Sequence, residues 1–315
     1  MEQNQPDLEN QLSKMMWGHY VSGSLRTIAD LAIADHLSNR TRTADELAKD
    51  VGCHARSLYR VMHALATVGI FKQDGNQFSL TPLGNLLRSD IPGSQRLKII
   101  GRCSFFDACG KLTETVKTGK PPRGDNFYDC LFATEEGAKL FYDYLDSFSH
   151  NNPAPMLDNY DFSNAETVMD IGGGSGSQLI AILKRYPHLK GILFELPDAV
   201  KLSKANIEAA SLTDRCRVVG GSFFDTIPGG ADVYMMRHII HNWNDSDSIK
   251  ILSNVRAVLP DNGRVLLIEI LEGSEDEEFI TWWPWWQLAM FVVGGLERTQ
   301  EEYAELLAKS GLKFN

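Results

Sequence analysis

Between Ala165 and Leu271 short runs of apolar, partly β-branched residues alternate with stretches whose hydrophobic positions recur at helical spacing. Thr167–Ile171, Gly191–Leu196, Arg217–Gly221, Ala231–Met236 and Arg264–Leu271 read as strands, with helices reaching Tyr186, Ala210 and Leu259 between them. Such alternation predicts a parallel, doubly wound α/β sheet covered by helices on both faces. Upstream the pattern changes. From Gln11 to about Leu37 the apolar positions Met15, Met16, Tyr20, Leu25, Ile28, Leu31, Ile33 and Leu37 predict a helical entry segment. Thr43–Gly52 and Arg56–Gly69 read as two further helices, the first with capping signals at both ends. Ile70–Leu80 then turns around Asp74-Gly75, a strong hairpin signal. Helix, turn, helix, hairpin is a winged-helix order. Residues 93–160 carry aromatics and acids without repeats, as helices linking two domains do. The expected organisation is a winged-helix-like domain over 11–92, a helical linker over 93–160 and a ligand-binding domain over 161–315.

Composition narrows the partners. The chain has 315 residues, 43% hydrophobic and 23% charged, with a net charge of −10. That balance argues against nucleic acid or an anionic membrane as main partner. Between Thr41 and Asp90 six basic residues face five acidic ones, too even a balance for a groove reader, so a winged-helix regulator is the remote alternative. The stretch Phe279–Val293 contains Pro284 and Gln287 and falls short of the roughly 20 residues of a membrane span, which predicts a buried or interfacial helix. Five scattered cysteines lack any paired spacing and read as reduced thiols, and the polar, acidic opening residues do not resemble a signal peptide. A cytoplasmic location and no metal are therefore expected.

The densest chemical signal follows the first strand, in Asp170-Ile171-Gly172-Gly173-Gly174-Ser175-Gly176. Gly172, Gly174 and Gly176 let the backbone approach a ligand closely at the strand's carboxyl end, where doubly wound sheets bind. A dinucleotide fingerprint needs glycine where Ser177 stands. Asp170 repels a pyrophosphate and attracts an ammonium, so the expected ligand is cationic at that end, as the methionine moiety of S-adenosylmethionine is. Glu195, closing the second strand before Leu196, can accept both hydroxyls of a ribose. After the third strand Phe223, next to Ser222, can stack on a base or belong to the core.

After the fourth strand Arg237-His238-Ile239-Ile240-His241-Asn242-Trp243 holds two histidines one helical turn apart, and spacing does not choose between them. An imidazole titrates near pH 6.5 and can deprotonate a phenol, whose own pKa of about 10 leaves it a poor nucleophile.

These residues, with Glu195-Leu196-Pro197, Gly221–Pro228 and Gly294-Gly295-Leu296-Glu297-Arg298-Thr299, resemble the small-molecule O-methyltransferases of plant phenolic and bacterial secondary metabolism. The likeness runs from about residue 12 to the end. It implies a Rossmann-like class I methyltransferase domain, an N-terminal dimerisation domain and hence a homodimer, S-adenosylmethionine as cofactor, and a small, aromatic hydroxyl-bearing acceptor. By the same resemblance His241 is the general base, His238 falls on a variable position, Glu269 and Glu297 flank the imidazole, and Arg237 contacts the cofactor. Phe106, Phe127, Tyr142, Trp283, Trp286 and Met290 are candidates for the acceptor pocket. Methylation at nitrogen or carbon, or a non-methylating reaction on the same fold, is the alternative.

The chain departs from the family pattern in places. Asn242 stands for an aspartate, removing a charge but keeping an oxygen acceptor, and Ser222 stands for an aspartate near the adenine, which implies weaker cofactor binding. Trp282-Trp283-Pro284-Trp285-Trp286 suggests a flat or cationic acceptor, or else core or dimer packing. Family members also continue through further sheet strands beyond the point corresponding to Asn315.

Overall fold

A computed structural model of the chain describes residues 5–103, 106–122, 135–148, 155–272 and 277–315. It divides into two compact units, Met1–Phe106 and Asp107–Asn315.

In the first unit the expected entry helix is three, Gln5–Met16, Gly18–Asp30 and Ile33–His36. The last break falls at Ala32, whose left-handed backbone (φ 50) no helix continues through. Helix Ala44–Val51 begins with a reciprocal cap: Glu46 N–H donates to the Thr43 hydroxyl and Thr43 N–H to the Glu46 carboxylate. After helix Ala55–Thr67, strands β2 (Phe71–Asp74) and β3 (Gln77–Leu80) form the expected hairpin. A two-residue strand β1 (Arg42–Thr43), too short to leave a pattern, adds to β3, giving the order β1-β3-β2. Ile28, Ile33, Leu37, Leu47, Leu58, Met62, Leu65 and Phe78 fill the core. Helix Gln5–Met16 buries nothing, and Leu12, Met15, Met16, Trp17 and Tyr20 are exposed.

The second unit carries a five-stranded sheet: β4 (Thr167–Ile171), β5 (Lys190–Glu195), β6 (Cys216–Gly220), β7 (Val233–Arg237) and β8 (Arg264–Ile268), in the order β6-β5-β4-β7-β8 and parallel throughout. Alternate side chains enter two cores. Val168, Leu193, Val233 and Met235 meet Leu179, Ile182, Leu183 and Ile207 on one face, while Met169, Ile171, Ile192, Phe194, Tyr234 and Met236 meet Ile251, Leu252, Val255, Tyr303 and Leu306 on the other. The chain reverses direction in sheet order at β4, so the loops after β4 and β7 open at the same carboxyl edge. No helix among the described residues is long and apolar enough to cross a membrane.

Removing the Thr43 cap with Thr43→Ala is expected to destabilise the chain by about 0.5–2 kcal/mol in denaturant unfolding.

Candidate active site

The loop after β4 is built from left-handed turns. Gly172, Gly174 and Gly176 have φ of 69, 56 and 83, and a side chain at Gly174 would meet the Tyr142 ring at 3.0 Å. Helix Ser177–Arg185 follows directly. Two residues to which the sequence assigned no role hold this loop from helix Val200–Ala209: the Ser203 hydroxyl donates to Gly174 O at 2.8 Å and Asn206 Nδ2 to Ser175 O at 2.9 Å. They left no signal, because their contact exists only once the helix packs back on the sheet.

Both acids of the loop region are buried. Glu195 Oε2 accepts from Gly174 N–H (2.8 Å) and Oε1 from Leu196 N–H (2.7 Å). Burial raises the Glu195 pKa, opposed by these amides and by Tyr142, whose own phenol is driven upward by burial and then by the Glu195 charge. Asp170 Oδ2 is buried and accepts no hydrogen bond among the described residues. Burial, followed by the Glu195 charge, pushes the Asp170 carboxyl up to about 7, with Arg237 pulling the other way. Phe223 lies with its ring edge 3.8 Å from where a Gly172 side chain would start, and it packs edge-on to Trp243.

Beyond β7 the backbone turns left-handed at His238 (φ 53), then makes a 3-10 turn, Ile240–Asn242. Glu269 Oε1 takes the amides of Ile239 (3.2 Å) and Ile240 (2.8 Å), so this acid anchors the turn's backbone. Its other oxygen stands 3.9 Å from His241 Nδ1, close enough for charge but too far for a hydrogen bond. Glu297 makes the direct contact: its Oε1 accepts from His241 Nδ1 at 2.8 Å and from Trp286 Nε1 at 2.6 Å. A carboxylate acceptor places the proton on Nδ1, which leaves Nε2 of the neutral ring free to accept one. Burial alone lowers the His241 pKa. The Glu297 hydrogen bond and the charges of Glu269 and Glu297 outweigh it, and the ring titrates above its ordinary value.

This constellation is closed by the chain segment that supplies Glu297. A side chain on Gly295 would lie 2.4 Å from His241 O, and Leu296 N–H donates to that same carbonyl at 2.7 Å. Arg298, also without an assigned role in the sequence, is 1% exposed and reaches Ile240 O, Trp243 O and Asp245 Oδ1. Asn242 contributes the half of its amide that an aspartate lacks: Nδ2 donates to His238 O at 2.7 Å.

The structure sorts the remaining expected residues. Arg237 lies within charge range of Asp170 and Asp146, and burial lowers its pKa against their pull. The Ser222 hydroxyl accepts from Phe224 N–H at 3.2 Å and so turns its own loop. Tyr142, expected in the acceptor pocket, stands against Gly174 and Glu195, because the glycine there leaves space that its ring fills. Trp286 is beside the imidazole, with ring centroids 6.5 Å apart, and Met290 is buried with its methyl near Gly295. Trp283 is half-buried on the same helix, Glu277–Val293, whereas Trp285 is 67% exposed. Phe106 closes the first unit, and Phe127 lies outside the described residues.

Residues 111–313 match the O-methyltransferase domain and residues 13–90 the O-methyltransferase dimerisation domain. The chain belongs to the O-methyltransferase family. It is 34% identical over 311 residues to a phenazine O-methyltransferase, PhzM, of Lysobacter antibioticus, covering 96% of this chain and 91% of that one. The O-methyltransferase NcsB1 from neocarzinostatin biosynthesis, solved with S-adenosylmethionine and 2-hydroxy-5-methyl naphthoic acid, superposes with a TM-score of 0.83 at 29% identity, covering 92% of this chain and 90% of that one. An aclacinomycin 10-hydroxylase, RdmB, of Streptomyces purpurascens is 32% identical over 304 residues, covering 92% of this chain and 80% of that protein. The enzyme is thus an S-adenosylmethionine-dependent O-methyltransferase with a Rossmann-like catalytic domain and an N-terminal dimerisation domain.

The residues at the sheet edge suit that cofactor, since an orphan buried carboxylate oxygen lies beside a loop whose glycines leave no side chains in the way. A carboxyl raised from 3.8 to about 7 stabilises the fold fully only below the lower value, and that contribution is lost as pH rises through the upper one. Asp170→Asn is therefore expected to raise the melting temperature at pH 8, to change it less at pH 5, and to weaken S-adenosylmethionine binding by calorimetry. A gain in stability that ignores pH would remove the charge as its cause.

Proposed function

We propose that this enzyme methylates a hydroxyl of a small aromatic secondary metabolite, with His241 as general base. The observation that carries the reading is the buried His241–Glu297 hydrogen bond of 2.8 Å, which commits Nδ1 and presents Nε2 as proton acceptor. When bound, S-adenosylmethionine supplies an electrophilic methyl carbon. Asp170 would face its ammonium and Glu195 its ribose hydroxyls, with Leu196, Ser222 and Phe223 forming the adenine end and Arg237 balancing the buried acids. His241 Nε2 takes the acceptor's proton, and Glu297, with Glu269 behind it, stabilises the imidazolium. Trp286 has two tasks: its N–H holds Glu297, and its ring offers a flat surface beside the base, with Trp283 and Met290 on the same helix. An aromatic acceptor is further supported by the naphthoic acid in NcsB1. Tyr142 is reassigned to the cofactor side, where it shields Glu195.

The exposed apolar row Met15, Met16, Trp17 and Tyr20 lies within the dimerisation domain, with Leu12 just before it, and supports a homodimer formed through it. Cys53, Cys103, Cys109 and Cys216 are free, in keeping with a cytoplasmic enzyme.

A second reading is favoured by one finding, the likeness to a hydroxylase on the same fold. Product mass separates the two, because a product lacking the added methyl group would mean that the cofactor serves another reaction.

His241→Ala is expected to lower kcat by roughly 10²–10⁴ while leaving S-adenosylmethionine binding in place. Unchanged turnover would sink the base assignment. Only the neutral ring accepts a proton, so kcat should rise with pH along a limb centred above about 6.5. Glu297→Gln weakens the interactions that favour the imidazolium, and its limb should move to lower pH.

A further inference from the structure

Glu269 Oε2 is buried, accepts no hydrogen bond among the described residues, and faces two imidazoles, at 3.8 Å from His238 Nδ1 and 3.9 Å from His241 Nδ1. His238 Nδ1 is also buried without a hydrogen bond. One donor atom from each of the three residues lies within 4.8 Å of the others. Two imidazole nitrogens and a carboxylate oxygen form a donor set that suits zinc(II) and its neighbours, whereas magnesium and calcium take oxygen ligands. In a tetrahedral zinc site with bonds of about 2.0–2.2 Å, ligand atoms stand roughly 3.3–3.5 Å apart. To seat an ion, the two Glu269–imidazole distances contract by about half an ångström and the imidazole–imidazole pair, within 4.8 Å, by up to about 1.5 Å.

Hydrogen bonds hold two of the three residues in place. Glu269 is fixed by two amides through its other oxygen. His238 is kept left-handed by its N–H to Ile268 O (3.0 Å) and by Asn242 Nδ2 to its own carbonyl (2.7 Å). A non-glycine residue in that conformation is strained, and the two bonds hold its backbone there. The His238 side chain is 36% exposed, which gives an ion a way in, while His241 is 4% exposed behind it.

We propose that His238, His241 and Glu269 form a binding site for a divalent transition-metal ion of the zinc class, and that filling it inhibits methyl transfer: the ion displaces the proton of His241 Nδ1 and breaks the Glu297 hydrogen bond, and the neutral ring then keeps its proton on Nε2, which can no longer accept one. The inhibitory consequence rests on His241 being the base, whereas the site itself does not.

Cobalt(II) is the probe. Titrated into the full chain, it should develop visible absorption bands of low-coordinate nitrogen and oxygen ligation that zinc(II) abolishes by competition, and zinc(II) should inhibit turnover over the same concentration range. In His238→Asn, a residue that tolerates the left-handed backbone, cobalt(II) affinity should fall by about 10–100-fold or more, since even loss of an outer partner has that effect. The zinc(II) concentration for half-inhibition should rise by the same factor, with retained S-adenosylmethionine binding reporting an intact fold. A wild-type chain without cobalt(II) bands, or a His238→Asn variant with wild-type affinity, overturns the site. Full occupancy with undiminished turnover overturns the inhibition. If His241→Ala turned over normally, the base assignment would fall, and the cobalt(II) spectra of wild type and His238→Asn would still decide the metal site.

Discussion

The catalytic end of this protein depends on a buried guanidinium. Arg298 places its donors on the carbonyls of Ile240 and Trp243 and on Asp245, and thereby ties the segment after helix Glu277–Val293 to the turn that carries His241. A buried charge stripped of partners costs several kcal/mol, so the arrangement persists only while those oxygens converge. Its neighbours exploit the proximity. Gly295 presses against the His241 carbonyl where no side chain fits, Leu296 donates to that carbonyl, and Glu297, 56 residues from His241, lands within 2.8 Å of the imidazole.

At the other side of the cleft edge the chain keeps two acids in a place where neither is comfortable. Asp170 and Glu195 are both buried; burial raises both carboxyls, the Glu195 charge raises Asp170 further, and Arg237 offsets the rise of Asp170 only in part. Apolar replacements would fold more readily. The strain is understandable if a cationic ligand completes the charge balance, because a carboxylate already stripped of water binds an ammonium without further desolvation cost. The same logic runs through the imidazole end, where Glu269 and Glu297 each leave one oxygen unbonded. Stability is given up at both ends in the form of unmet polar groups, and both ends lie on one rim of the sheet.

Single side chains serve more than one purpose along this rim. Trp286 holds Glu297 by its N–H and faces His241 with its ring. Asn242 uses the donor that separates it from aspartate to brace a left-handed His238.

Much was legible from local pattern. The order of strands and helices, the glycine loop, the acid closing β5 and the capped helix at Thr43 are written in periodicity and turn chemistry, which act between residues close in the chain. The sequence also brought His238 and His241 forward as a pair between which spacing did not choose, and only the family resemblance singled out His241. In the fold the two rings differ by where residues far along the chain arrive, Glu297 at Nδ1 of His241 and Glu269 at the turn's amides, and the proposal for His241 rests on that difference. The contact of Tyr142 with Gly174 was not legible for the same reason, since it depends on a helix docking on the loop. Ser203, Asn206 and Arg298 gave no warning at all. Apart from the Asp245 carboxylate, their partners are backbone carbonyls, identical in every residue, and only the packed chain says which carbonyl stands within reach.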